Sequence, residues 1–454
     1  MARSATCCQP ILLIINLLFL VPYNLQAATK SAAWSVLTYI QADNDLAPYA
    51  DYNISDMETA MATSTQSTPL NMLVQWDQPQ NNKTWRYRIT QTGRIEDESV
   101  STEMGTAPVQ EIIDAMKWVN RKYPAQHYAL ILWNHGSGVE DYQLKFPQLS
   151  KIMCTRLGRP WLTPPGLFNE YETRGILYDD SQDTCLTNQG LSTAFASIKQ
   201  TLGKNLDLLG MDACLMAMVE IAYQIKEYVD ILVASEETEP GTGWSYSGFL
   251  APVIESPSIF TPSLFAQNMV NAYGQLYHSE DPDYSLSALY MNKINNLKKN
   301  IDQVVTQIAS CKSLASADIK DKVLKARRAA QTFAVDSYVD LRSFYTELTK
   351  QCNKSAPKSA KILDRIAKQK TTTNARYKKS LKDLTTLLTI GLKYINQVVF
   401  ANTIGSGVPD AYGISIYYPN TRYSAAAIHP SYLKTKFAKE SKWLPFIREY
   451  RSPR

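Results

Sequence analysis

Histidine is scarce in this chain: His127, His135, His278 and His429 are the four in 454 residues. His135 alone has a setting that suggests chemistry. The run YALILW (128–133) reads as a buried strand, and NHGSG follows it, so His135 leaves the sheet at a strand's carboxyl end. Ligand sites of open α/β sheets lie in the crevice at those ends. Gly136 and Gly138 let the backbone turn sharply there, so that N–H groups can face a substrate. DLLGMDACLMAMVE (207–220) repeats the arrangement: an apolar strand, a Gly-Met-Asp-Ala turn, Cys214, then a helical pattern. A cysteine just before a helix N-terminus meets unpaired N–H groups and the positive end of the dipole, which favour thiolate. A histidine and a cysteine on neighbouring strand ends have the reach that an activated thiol nucleophile requires.

Blander readings exist for each residue. A cysteine in an apolar run is ordinarily an inert core residue, HGSG can be a plain turn, and Asp212 can cap the helix after Cys214. The two blocks occurring together on two strand ends favours catalysis. Other chemistries lack their signatures. The chain has no G-x-S-x-G elbow, and no H-E-x-x-H, Cys-x-x-Cys, P-loop or G-x-G-x-x-G.

The elements that must position these residues alternate strand-like and helical runs, which predicts an α/β fold with a largely parallel sheet covered by helices. Expected strands are 35–41, 71–75, 85–90, 128–133, 206–210 and 231–235. Val109, Ile112, Ile113, Met116 and Val119 mark a helix over 109–120, and Leu215, Met218, Ala222 and Ile225 mark one directly after Cys214. Residues 139–174 read as a long insertion rich in Pro, Gly and aromatics. Residues 346–383 read as a second irregular, lysine-rich stretch, a solvated helix or linker. Residues 384–400 read as a helix and 413–418 as a returning strand. The expected organisation is residues 1–27 as a signal peptide, 28–250 as the core, and 251–454 as a mostly helical region.

Composition bounds the partners. A hydrophobic share of 45% and a charged share of 20% are ordinary for a globular protein, and the formal charge of +5 does not point to nucleic acid. Arg3 without acids, an apolar Ile11–Val21 and small residues at Ala27-Ala28 have the layout of a secretory signal. That stretch is short for a membrane span, so an exported protein without a stable span is expected. Cys7 and Cys8 would leave with the signal. Of the remaining Cys154, Cys185, Cys214, Cys311 and Cys352, an odd count leaves one outside the pairs. With Cys214 as that one, Cys154–Cys185 and Cys311–Cys352 are one of three pairings.

WNHGSG (133–138), LDLLGMDACLMAMVEIA (206–222) and VASEETEPGTGWSY (233–246) resemble the clostripain-like cysteine peptidases, relatives of caspases, gingipains and legumain. TYIQADNDL near residue 40, the stretch 284–297, GISIYYP and SKWLPFIREY extend the resemblance over most of the chain. It implies a caspase-like α/β/α sandwich and peptide-bond hydrolysis, with Cys214 as nucleophile and His135 as general acid/base. The N–H groups of Gly136 and Cys214 would hold the oxyanion. It implies Arg or Lys before the scissile bond, bound by Asp212, although Thr242 stands where some relatives carry a second acid and Glu236, Glu237 and Glu239 are only near in sequence. Self-processing within the insertion is implied too, with Lys145, Lys151, Arg156, Arg159 and Arg174 as candidates. The residues require no cofactor, but clostripain depends on calcium, and Asp179, Asp180 and Asp183 are acids of the type that bind it. A non-catalytic binding protein of the same fold and an amidase acting on a non-protein amide are the alternatives. Protein or peptide substrates are the expected partners, and oligomeric state is open.

Overall fold

A strand covered on both faces must be apolar at nearly every position, and AAWSVLTYIQ and AQHYALILW meet that demand. The computed structural model describes residue 1 and residues 31–63, 70–79, 82–140, 175–354, 367–419 and 428–450. In chain order the strands are β1 (Ala32–Gln41), β2 (Leu70–Asp77), β3 (Trp85–Thr90), β4 (Gly93–Glu96), β5 (Ala125–Trp133), β6 (Ile176–Asp179) and β7 (Thr184–Leu186). They continue with β8 (Leu206–Asp212), β9 (Val229–Ala234), β10 (Ser285–Tyr290), β11 (Tyr338–Asp340), β12 (Val399–Ile404) and β13 (Ser415–Tyr417). The helices are α1 (Ala47–Ala62), α2 (Pro108–Lys122), α3 (Asn188–Leu202), α4 (Val219–Ile225), α5 (Tyr246–Glu255) and α6 (Pro262–Tyr277). Two long helices, α7 (Ile294–Ala329) and α9 (Ala367–Val398), pack with α8 (Leu341–Asn353), and three short helices between Pro430 and Glu449 follow.

Nine strands form one sheet in the order β12-β10-β9-β8-β5-β1-β2-β3-β4. The five central strands, β9 to β2 in that order, are parallel, and two antiparallel strands extend each edge. Alternate side chains of the strands feed two apolar cores, one per face. Leu37, Leu130, Leu209 and Leu232 pack with Ile112, Phe195 and Ile221 of α2, α3 and α4. Val36, Ile131, Leu208 and Val233 pack with Ile54, Phe249 and Phe265 of α1, α5 and α6. This is an α/β/α sandwich. Local signals agree with it: the Thr187 hydroxyl caps α3 by accepting from Gly190 N at 3.0 Å, and Gly203 closes it at φ 69°.

Four expectations change or narrow. The region beyond residue 250 is mainly helical but also gives the sheet β10 and β12, whose short runs hide between helical patterns. The strand expected at 413–418 narrows to Ser415–Tyr417 and pairs with β11 in a separate two-stranded sheet. Of the two readings of the lysine-rich stretch, helix and linker, the described residues form helix, because α8 and α9 cover Leu341–Asn353 and Ala367–Val398. The fourth change, at Cys214, bears on the site.

Candidate active site

Strand register brings the two expected residues together. In the parallel β5–β8 pair Trp133 lies opposite Asp212, and Asn134 N donates to the Asp212 carbonyl at 3.2 Å. His135 and Cys214 each follow two residues after those register partners. Adjacent strands lie about 4.8 Å apart, so both residues leave neighbouring strand ends on the same edge. The loops then touch: a Cβ added at Gly136 would collide with the Cys214 carbonyl and reach Ala213 Cβ at 3.1 Å. Glycine at 136 is what lets the histidine loop lie against the cysteine turn. His127, by contrast, pairs with Asp207 at 2.9 Å, at the opposite edge of the sheet.

The helix expected directly after Cys214 starts later. α4 begins at Val219 and is seven residues long. Leu215 takes a left-handed conformation at φ 67°, and residues 215–218 are non-helical and bond to two other segments. Leu215 N donates to Glu237 O at 3.1 Å, Ala217 N to Ser235 O at 2.8 Å, and Ser415 N to Ala217 O at 2.9 Å. These bonds outcompete the helical ones that the 3–4 spacing predicts. Cys214 therefore does not sit at a helix N-terminus, and Asp212 is not a helix cap. A different donor reaches the sulfur: Glu239 N–H lies 3.2 Å from Cys214 Sγ. A backbone N–H aimed at sulfur stabilises thiolate as a dipole does. Cys214 is 5% exposed.

His135 has a partner that the motif does not contain. Its Nε2 lies 2.7 Å from Asp45 Oδ1, just beyond the end of β1, the neighbour of β5. A carboxylate only accepts, so this bond places the proton on Nε2 and leaves Nδ1 as the nitrogen able to take one. Asn134 fixes the loop from behind. Its Oδ1 accepts from His135 N and from Tyr178 N at 3.1 Å. Its Nδ2 donates to Gln41 O and to Tyr178 O at 2.8 Å. One buried amide thus ties the end of β1, the histidine loop and β6 together. The signal for Asp45 was present in QADNDL, four acids and amides where an apolar strand ends, and only the strand order shows which neighbour they serve.

A cleft of about 300 Å³ opens beside these residues, lined by Leu46, Trp133, His135, Cys214, Asp212 and Glu239, with Gly241 and Gly243 in its wall. Asp212 lies at its buried end. Its Oδ2 accepts from Tyr246 OH at 2.9 Å and from Trp244 N at 3.3 Å, and burial pushes its carboxyl up to about 6 despite those bonds. Gly243, at φ 65°, lets the loop pass so close that a Cβ there would lie 3.1 Å from both Asp212 oxygens. Thr242 faces away, its hydroxyl 2.7 Å from Tyr277 OH. Of the nearby glutamates, Glu236 accepts from Gly413 N at 2.7 Å and Glu237 from Ala334 N at 3.0 Å. Glu239 alone of the three lines the cleft, which its sequence could not reveal.

The remaining candidates are elsewhere. Cys311 and Cys352 are free thiols, so the Cys311–Cys352 bridge is not formed. Burial pushes the Cys352 thiol up to about 12 and also raises Cys311, which lies 3.2 Å from the Ser380 hydroxyl. Cys185 Sγ accepts from Gly175 N at 3.3 Å, while Cys154, Lys145, Lys151, Arg156, Arg159 and Arg174 lie outside the described residues. Asp179 spends its oxygens internally, accepting from Gln182 N at 2.8 Å and Gln41 Nε2 at 2.9 Å. Among the described residues no group of three or more His, Cys, Asp or Glu side chains is arranged to hold a metal ion.

Comparisons with known proteins identify the fold and the family. Comparison with solved structures finds a secreted C11 cysteine protease from Bacteroides thetaiotaomicron, "iotapain", at TM-score 0.59 and 12% identity, covering 90% of this chain and 99% of that one. The same protease type from that organism, in complex with an irreversible peptide inhibitor, gives TM-score 0.58 at 16% identity, covering 91% and 99%. An inactive zymogen C11 protease from Parabacteroides distasonis gives 0.52 at 15%, covering 92% and 95%. At such identities these likenesses establish the fold. Comparison with curated proteins finds no match. The sequence profile of the clostripain family, peptidase C11, matches residues 38–155 and 162–450. The chain therefore belongs to the clostripain family and is a cysteine-type peptidase.

Proposed function

We propose that this peptidase is an exported endopeptidase in which Cys214 and His135 form the reacting dyad and Asp212 selects Arg or Lys before the scissile bond. The sulfur of Cys214, as thiolate, attacks the carbonyl carbon. The negative charge that develops on oxygen needs fixed donors about 2.7–3.1 Å away, a role that the family resemblance gives to the backbone N–H groups of Gly136 and Cys214. His135, held by Asp45, gives a proton to the departing amine. Water then releases the acyl group from sulfur with His135 as base. A guanidinium entering the cleft would meet the Asp212 carboxylate in a charge-assisted, bidentate pair. The secretory layout of residues 1–27 supports export, and among the described residues no helix is long and apolar enough to cross a membrane.

The observation that carries this reading is the shared strand-end position of His135 and Cys214, with Asp212 at the buried end of the cleft beside them. The test is a panel of fluorogenic peptides differing in the residue before the scissile bond, offered to the mature protein and to Cys214→Ala. Turnover after Arg and Lys that is lost in Cys214→Ala supports it. Turnover after apolar residues only removes Asp212 as the selecting acid. No turnover above the variant on any peptide favours a binding protein or an amidase on another amide.

We also propose self-cleavage between His135 and Cys214. The insertion carries five basic residues, and its two flanks lie against the site. Glu140 N donates to Tyr338 OH at 2.9 Å, and Ser137 N donates to Gly175 O at 3.2 Å. Wild-type protein that fragments on incubation beside an intact Cys214→Ala supports this, and two identical intact chains refute it.

A further inference from the structure

The cleft contains two carboxyl groups, although a single basic side chain needs one countercharge. Glu239 Oε2 accepts from Trp244 Nε1 at 3.0 Å. No donor among the described residues reaches its Oε1, although that atom is buried. What Glu239 does meet is the Asp212 carboxyl, with which it is hydrogen-bonded. Two carboxyl groups in such contact must hold a proton between them, because two bare carboxylates repel. The proton's owner follows from the partners. Asp212 already receives bonds from Tyr246 OH and Trp244 N, the environment of an anion, whereas Glu239 has an oxygen that only its own O–H can satisfy.

We propose that Glu239 is a second specificity acid, which shares one proton with Asp212 in the empty cleft and gives it up to solvent when a basic side chain enters. The proposal rests on the reading that this cleft receives Arg or Lys. The balance is simple: the cation takes the place of the proton, and one proton leaves per side chain seated. Burial and the neighbouring Asp212 hold Glu239 well above the usual carboxylate range, in the direction that a proton held between the two carboxyl groups requires. The other titratable groups around Glu239 are Cys214, Tyr246, Tyr273 and Tyr277. The three tyrosines are pushed above their ordinary value by burial and stay neutral. Titration of Cys214 and His135 affects every substrate alike and cancels in a ratio.

The experiment measures kcat/KM of the mature protein for two peptides differing only in arginine or citrulline before the scissile bond, between about pH 5.5 and 8.5. The arginine-to-citrulline ratio is expected to climb with pH, by up to about tenfold per unit while the empty pair is protonated and the filled pair is not. Glu239→Gln keeps a donor toward Asp212 and an acceptor for Trp244 Nε1 but has no proton to lose, so its ratio should stay flat above about pH 7, where Asp212, pushed up to about 6, is already ionised. A wild-type ratio that prefers arginine but does not change with pH overturns the proposal, as does an equal climb in Glu239→Gln. Absence of any arginine preference at every pH instead refutes the reading of the cleft itself. Calorimetry on Cys214→Ala in two buffers of different ionisation enthalpy gives a second measure that does not need the Glu239 variant. About one proton released with the arginine peptide and none with the citrulline peptide supports the coupling, and equal proton counts overturn it.

Discussion

Replacing Asp45 by asparagine tests whether the carboxylate outside the motif orients the histidine. The 2.7 Å bond from His135 Nε2 to Asp45 Oδ1 is charge-assisted, and its side chains are 16% and 26% exposed. A hydrogen bond to a charged group contributes about 1.5–3 kcal/mol, and each 1.36 kcal/mol of barrier is about tenfold in rate. Partial exposure of Asp45 favours the lower part of that range. Asparagine keeps the shape, but its amide can turn its NH₂ toward the ring and impose the wrong tautomer. The expected result is a fall in kcat of about 10- to 100-fold, with KM within about twofold, because Asp45 does not line the cleft. Steady-state kinetics on the preferred arginine peptide read this, and an unchanged thermal melt shows that folding is intact. A kcat within about twofold of wild type would refute the orienting role, and a rise in KM alone would move Asp45 to substrate binding.

Other outcomes follow from buried groups. In Asn134→Asp, a carboxylate oxygen would face the carbonyls of Gln41 and Tyr178, so a loss of about 3–5 kcal/mol on denaturant unfolding is expected. Burial pushes Glu220 up to about 8 in the folded protein, so the folded state holds a proton that the unfolded chain has released above about pH 4.5. Stability from this group therefore falls as pH rises through that window and levels off above about 8, by at most about 1.4 kcal/mol per unit. Glu220→Gln should flatten the decline of melting temperature with pH. Cys311 and Cys352 should each take one alkyl group after denaturation without reductant, read by peptide mass, and neither should react in the native protein.

How much of this was legible beforehand depends on the kind of signal. Continuous apolar runs identified β1, β2, β5, β8 and β9, since a strand covered on both faces has no other composition. β10 and β12 escaped because SLSALY and VFANTI are short and abut helical patterns. Cys214 and His135 could be chosen because each follows such a strand directly. The helix after Cys214 was misplaced because the 3–4 apolar spacing of Leu215 and Met218 is also what a non-helical segment buried on both sides shows. Its true partners, Glu237, Ser235 and Ser415, are distant in sequence. Asp45 and Asn134 were missed, and Glu239 could not be told from Glu236 and Glu237, for the same reason: each acts through a neighbour set by strand order or loop packing, which one chain read in line does not contain.

The central claim is that Cys214 is the nucleophile at the mouth of an acid-lined cleft. It is tested most directly by treating the native mature protein with a peptidyl chloromethyl ketone ending in arginine and mapping the adduct by mass spectrometry. The account predicts one adduct per chain, on Cys214, formed in parallel with loss of activity and absent in Cys214→Ala and His135→Ala. Cys185, Cys311 and Cys352 should remain unmodified. Inactivation with the adduct on another residue, or full activity in Cys214→Ala, would contradict it.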